Sequence, residues 1–109
     1  MAKLDIKVPH VLEREEVFSR LRKFSSKVHE QLGNQVSSID EEWDDENESM
    51  EFSVKAKGMS IKGNMAVHDD TVDVHSNLPF AALPFRGMIE SFIRNAIEQV
   101  LVDSPSQSN

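Results

Sequence analysis

The chain has no cysteine among its 109 residues, so disulfides, thiolate nucleophiles and thiolate metal sites are excluded. It also lacks any apolar run near the roughly 18 residues that a membrane-crossing helix needs, so no membrane span is expected. Basic residues are not gathered into a patch. Arg20, Arg22, Lys23 and Lys27 lie close together but among acids, whereas phosphate backbones are held by clustered cations. That argues against a nucleic-acid partner. Glycine is scarce, with four in all, and none stands in the GxxxxGK[ST] pattern of a phosphate loop. No G-x-S-x-G nucleophile elbow occurs. The opening "MAKLDIKVPH" alternates in polarity and has no apolar h-region. A signal peptide is therefore not expected, and the cytoplasm is the expected location.

A hydrophobic fraction of 39% and a charged fraction of 28% fit a soluble globular domain, and the length fits a single one. We expect one α+β domain over residues 1–102 and a disordered polar tail, "DSPSQSN", over 103–109. The net charge of −7 is local. Residues 40–51, "DEEWDDENESME", hold eight acids and no base, which leaves the remainder of the chain close to neutral.

Leu4, Ile6 and Val8 alternate with Lys3, Asp5 and Lys7, the pattern of a strand buried on one face. Val17, Leu21, Phe24, Val28 and Leu32 recur at helical spacing and predict a helix over about 12–32. Gly33 is placed to end it with a positive φ. Ile39 and Trp43 mark a weaker strand. Met50, Phe52, Val54 and Ala56 then alternate, followed by Met59, Ile61, Gly63, Met65 and Val67, and by Val72, Val74 and Leu78. Last comes a broad helical stripe of Phe85, Met88, Ile89, Phe92, Ile93, Ala96, Ile97, Val100 and Leu101, with Pro84 at the first helical position.

The order is thus β-α-β-β-β-β-α. One apolar face on the sheet and one apolar stripe on each helix predict two layers, with both helices on one face. The predicted sheet is five-stranded, mainly antiparallel and ordered 2-3-4-5-1. Two-residue turns at Lys57-Gly58 and Asp69-Asp70 pair Val54 with Ile61, Phe52 with Gly63, Val67 with Val72, Met65 with Val74, Gly63 with Ser76 and Ile61 with Leu78. In this register His68 faces Thr71 and His75 faces Asn64 on the wet face, so the two histidines do not converge on a metal. Gly63 opposite Phe52 makes room for a close approach.

In the acidic segment, Asp40, Glu42, Asp44, Glu46, Glu48 and Glu51 match the ligand positions of a calcium loop. Asp45, however, stands where that loop needs glycine, and the flanks read as strands. A solvated hairpin loop is the simpler reading, with Trp43 in the core or at the sheet edge.

Several stretches resemble the polyhydroxyalkanoic acid system family, small bacterial proteins encoded near polyester-storage genes. They are "MAKLDIKVPH", Trp43 ahead of "MEFSVKAKGMSIKGNMAVHDDTVDVHSNLPF", and "FRGMIESFIRNAIEQVL". The resemblance implies a polyester-storage role and carries over no catalytic residue and no cofactor. The topology is also similar to a shortened helix-grip domain, in which a curved sheet wraps a long C-terminal helix and larger members hold apolar ligands.

The function expected first is a non-enzymatic accessory or interaction protein of polyhydroxyalkanoate storage. Its partner would be the polyester granule or a granule protein, and its contact residues Leu78, Phe80, Leu83, Phe85 and Met88 in "LPFAALPFRGM". The alternative is a module binding a hydroxyacyl or other lipid-like ligand between sheet and last helix. A dry void of about 300 Å³ costs on the order of 7 kcal/mol, against a whole-domain stability of about 5–15 kcal/mol, which disfavours a large closed pocket. A small enzyme acting on acyl groups is the third reading, with no residue named as its catalyst.

Overall fold

The structure is a computed structural model and describes residues 2–34 and 36–102. The expected tail over 103–109 lies outside the described residues. Strand β1 spans Ala2–Pro9, helix α1 Arg14–Leu32, β2 Ser38–Asp44, β3 Ser49–Ala56, β4 Met59–Val67 and β5 Thr71–Leu78. A 3-10 turn over Phe80–Phe85 leads into helix α2, Arg86–Val102. The strands form one antiparallel sheet ordered β1-β5-β4-β3-β2, the predicted order. Val54 pairs with Ile61, Phe52 with Gly63, Met65 with Val74 and Gly63 with Ser76, as the alternation requires. Ile61 does not pair with Leu78, because the β4–β5 ladder ends at Lys62 and Asn77.

The turns explain the register. Lys57 and Gly58 both take positive φ, 53° and 79°, the twist that a two-residue hairpin demands. Between β2 and β3 the connection is a tight four-residue turn, closed by Glu48 at φ 51°. The acidic stretch is therefore mostly strand, not the solvated loop expected, since its alternate residues find an inner face to cover.

Two helix ends also differ from expectation. Gly33 keeps a right-handed φ of −42°, and the Val36 N–H bonds the Leu32 carbonyl at 3.3 Å to close the helix instead. Pro84 sits inside the 3-10 turn, and α2 begins two residues later. The turn is closed by the Ala82 N–H on the Pro79 carbonyl.

Both helices contribute to one core. Leu4, Ile6 and Val8 of β1, Val72, Val74 and Leu78 of β5, and Met65 and Val67 of β4 pack against Val17, Phe18 and Leu21 of α1 and Ile97 and Val100 of α2. The outer sheet face is wet, with Lys55 and Lys62 exposed. Asp73 is the exception, at 7% exposure. Lys7 Nζ and His68 Nε2 approach its carboxylate at 3.4 and 3.6 Å.

The edges of the sheet are treated differently. Arg86 and Arg94 of α2 donate to the Lys3 and Lys7 carbonyls of β1, which occupies backbone acceptors on an edge strand. At the opposite edge, β2 carries Asp40, Glu42 and Asp44, all three exposed.

Candidate functional site

Along β3, β4 and both helices, burial falls from one end of the molecule to the other. Met50 on β3 is buried, but Phe52, Val54 and Ala56 further along are only half-buried. On β4, Val67 and Met65 are buried, whereas Ile61 and Met59 are half-buried. On α1, Val17, Phe18 and Leu21 give way to half-buried Phe24, Val28 and Leu32. On α2, Ile97 and Val100 are buried and Ile89 and Ile93 half-buried. The inner layer is sealed beside the Asp45–Glu48 turn. At the other end, which holds the Lys57-Gly58 turn, the 3-10 turn and the start of α2, it opens over β3 and β4, while Leu4, Leu78 and Ala82 keep the β1–β5 side closed.

That open end carries the largest exposed apolar side chains. Phe80 is 73% exposed and Met88 70%, with Phe85, Phe92 and Leu83 also exposed. Of the five residues expected to form a contact surface, Phe80, Leu83, Phe85 and Met88 lie here. Leu78 does not, being fully buried in the core because its side chain points inward from the end of β5. Phe92 belongs to the surface but was expected in the core. The broad stripe predicted for the last helix splits in two. Ile89, Ile93, Ile97 and Val100 face the sheet, while Phe85, Met88 and Phe92 turn away from it. A stripe too wide for one contact face was the available signal. An open cleft of about 470 Å³ runs between the helices beside this flank, walled by Phe24 and Val28 of α1 and Phe92 and Ala96 of α2.

A second cluster lies at the β2 edge. Glu41 pairs across the ladder with Phe52, so its side chain points inward between Ile39 and Trp43. The Ser25 hydroxyl of α1 donates to the Glu41 carboxylate at 2.6 Å, Trp43 Nε1 donates to it at 3.2 Å, and His29 Nε2 stands at 3.5 Å. Trp43 meets the Phe18 ring edge-on at 5.5 Å, and Arg22 lies over the Trp43 ring while pairing with Asp45. Serine, histidine and glutamate do converge here. Yet the hydroxyl is bonded to the carboxylate and the imidazole approaches that same carboxylate, so the cluster acts as a clamp holding α1 to the edge strand. Alternation alone could have placed Glu41 inward, two residues from both Ile39 and Trp43. Its position in a run of acids concealed it.

His68 and His75 stand apart. His75 Nδ1 bonds Asp5 at 2.6 Å, and His68 lies beside Asp73. Among the described residues, no three His, Asp or Glu side chains are grouped to hold a metal ion. The buried His10 donates from Nε2 to the His68 carbonyl and accepts the Leu12 N–H on Nδ1, so both ring nitrogens serve the turn. In the β2–β3 turn, the side-chain amide and then the backbone N–H of Asn47 hold the Asp44 carboxyl below its ordinary pKa of 3.8. No described helix is long and apolar enough to cross a membrane.

Residues 4–101 match the model of a family described as "Putative polyhydroxyalkanoic acid system protein". The chain belongs to the polyhydroxyalkanoic acid system family. No curated protein sequence matches it. Solved structures give a wider likeness. TTHA0849 from Thermus thermophilus is similar at 13% identity and a TM-score of 0.56, with 92% of each chain covered. Truncated norcoclaurine synthase from Thalictrum flavum is similar at 7% identity and 0.53, with 94% of each chain covered. The Zhui aromatase/cyclase from Streptomyces sp. R1128 is similar at 5% identity and 0.52, covering 91% of this chain and 86% of its own. At these identities the likeness is one of fold. This member of the polyhydroxyalkanoic acid system family has a helix-grip architecture.

Proposed function

We propose that the protein is a non-enzymatic accessory of polyhydroxyalkanoate storage that docks on the polyester granule. Its contact surface is Phe80, Leu83, Phe85 and Met88, joined by Phe92, and the reading keeps it in the cytoplasm. The observation that carries this is the concentration of exposed aromatic and methionine side chains at the end where the core opens. Apolar patches of this kind mark interaction surfaces, and a polyester presents the matching chemistry. Burying a side chain of this size contributes about 1.5–3 kcal/mol. Phe80, already 27% covered given its 73% exposure, would contribute about 1–2 kcal/mol on docking, roughly ten-fold in affinity. Co-sedimentation with purified granules tests the reading. Phe80→Ser is expected to lower the affinity about ten-fold, and Phe80→Ser with Leu83→Ser to abolish binding. Unchanged binding by the double variant would remove the proposal.

A second reading rests on the half-buried inner face of β3 and β4 together with the helix-grip fold. A single hydroxyacyl or other lipid-like chain would lie over Val54, Met59 and Ile61, between sheet and α2. These side chains are half-buried and not sealed in, so a chain lying over them would need no large closed void, and the energetic objection to one does not apply. Native mass spectrometry of the purified protein is expected to show a retained acyl ligand if this reading holds, and the bare chain mass if it does not.

A further inference from the structure

The exposed flank of α2 has a regular pattern of its own. Phe85, the last residue of the 3-10 turn, and Met88, Phe92, Asn95, Gln99 and Val102 of α2 are all exposed and follow one another at steps of three, four, three, four and three. This is the spacing of a coiled-coil seam, and its middle, Phe92, Asn95 and Gln99, borders the open cleft between α2 and α1. We propose that this stripe is the interface of a parallel, in-register dimer of this chain.

Four observations select a second copy, in that orientation, as the occupant. First, the stripe itself contains no ionisable side chain, so a two-fold axis along it sets no like charges of the seam against each other; among the described residues, Lys27 of α1 is the one charge that shares its cleft. Second, Asn95 and Gln99 make no side-chain hydrogen bond to any other described residue. A carboxamide is both donor and acceptor and can satisfy its own twin. In-register pairing sets Asn95 on its counterpart, Gln99 on its counterpart, and Phe85, Met88 and Phe92 on theirs. Antiparallel pairing would set Phe92 against Asn95 and Met88 against Gln99, which leaves both carboxamides facing apolar side chains.

Third, the acid excess that gives the chain its −7 charge is on β2 and its turn. That is the sheet edge opposite β1, along which α2 runs. Two copies joined through α2 keep these edges apart. Fourth, the area is adequate. Phe85, Met88, Phe92 and Val102 are 48, 70, 54 and 71% exposed. A large side chain offers about 150–250 Å², so the stripe presents several hundred square ångströms, comparable with the apolar centre of a standard interface of about 800 Å² per partner.

Orientation has a consequence that rests on the docking reading above. Parallel pairing covers Phe85, Met88 and Phe92 and so narrows the docking surface of each copy to Phe80 and Leu83, with both 3-10 turns at the same end of the dimer. One granule then meets two surfaces at once, and avidity follows.

The absence of native cysteine makes the test clean. Sedimentation of the full chain is expected to give twice its 12.3 kDa mass. Gln99→Cys should oxidise to a symmetrical disulfide-linked dimer, because in-register neighbours fall within the roughly 7 Å Cα separation that a disulfide spans. A mixture of Phe85→Cys and Val102→Cys proteins should give no mixed cross-link. Phe92→Glu, at a position 54% exposed, should sediment as a monomer with an unchanged circular dichroism spectrum. A wild-type chain that stays monomeric at high concentration overturns the inference, and so does a dominant 85–102 cross-link. A dimer that ignores granules leaves this inference standing and removes the docking reading instead.

Discussion

Replacing Gly63 with alanine should destabilise the fold by an amount that the structure allows to be worked out. Gly63 sits opposite Phe52 on one side and Ser76 on the other. A Cβ there would lie 2.6 Å from Phe52 Cζ and too close to the His75 carbonyl oxygen. The ring could swing aside, but the carbonyl belongs to the β4–β5 ladder and cannot. Overpacking of this kind costs about 1–3 kcal/mol. Removing a glycine from a strand interior returns about 0.5–1 kcal/mol. The net expectation is a loss of about 1–2 kcal/mol, or a fall in Tm of roughly 5–10 °C for a domain of this size. Urea and thermal melts followed by circular dichroism would read it. Phe52→Leu in the same background should recover part of the loss, giving a coupling of at least about 0.5 kcal/mol in a double-mutant cycle. A Gly63→Ala protein that melts at or above the wild type would refute the register that lays Phe52 across Gly63, and with it the alignment of the inner face.

Two further outcomes are expected. Glu41→Ala leaves the Ser25 hydroxyl and the Trp43 indole N–H without their acceptor, so it should cost about 1–3 kcal/mol. Glu41→Gln, which keeps a carbonyl oxygen there, should cost less. Trp43 is the only tryptophan, so urea melts followed by its fluorescence report on this edge, and an alanine variant as stable as the wild type would show that the clamp contributes nothing. Asn47→Ala should raise the Asp44 pKa toward its ordinary 3.8, as measured by NMR titration of the carboxyl. Because the folded pKa is lowered, this interaction stabilises the turn above the unfolded pKa and is lost as pH falls through the folded one. An Asp44 pKa unmoved by the substitution would remove Asn47 as its cause.

The strand order and most of the register were legible because residues 50–78 alternate without interruption, and a one-residue slip would expose Met50, Met65 and Val74 together. Lys57-Gly58 was legible as a turn for the same reason. Glu41 was harder to see. A carboxylate pointing inward is tolerated only where Ser25, Trp43 and His29 satisfy it, and Ser25 and His29 come from the preceding helix, far from Glu41 along the chain. Asp73 sits on the wet face by alternation yet is covered by Lys7 and His68, whose reach no local pattern encodes. Gly33 and Pro84 were misplaced because helix ends depend on hydrogen bonds such as Val36 to Leu32 and Ala82 to Pro79, which compete with the intrinsic preferences of glycine and proline. Leu78 was named as a contact residue because it opens the apolar "LPFAALPF" run, although the same β5 alternation that carries Val72 and Val74 inward had already set it on the inner face, where it is buried. The exposure of Phe92 could not be read from its helical spacing, because that spacing says which residues share a face and not how much of the face the sheet will cover.

The working surface itself is tested most directly by hydrogen–deuterium exchange of the wild-type protein with and without polyester granules. Protection on adding granules is expected over residues 79–84, with β2 and its acidic turn unchanged. Protection centred on the Asp45–Glu48 turn, or none anywhere, would contradict the account.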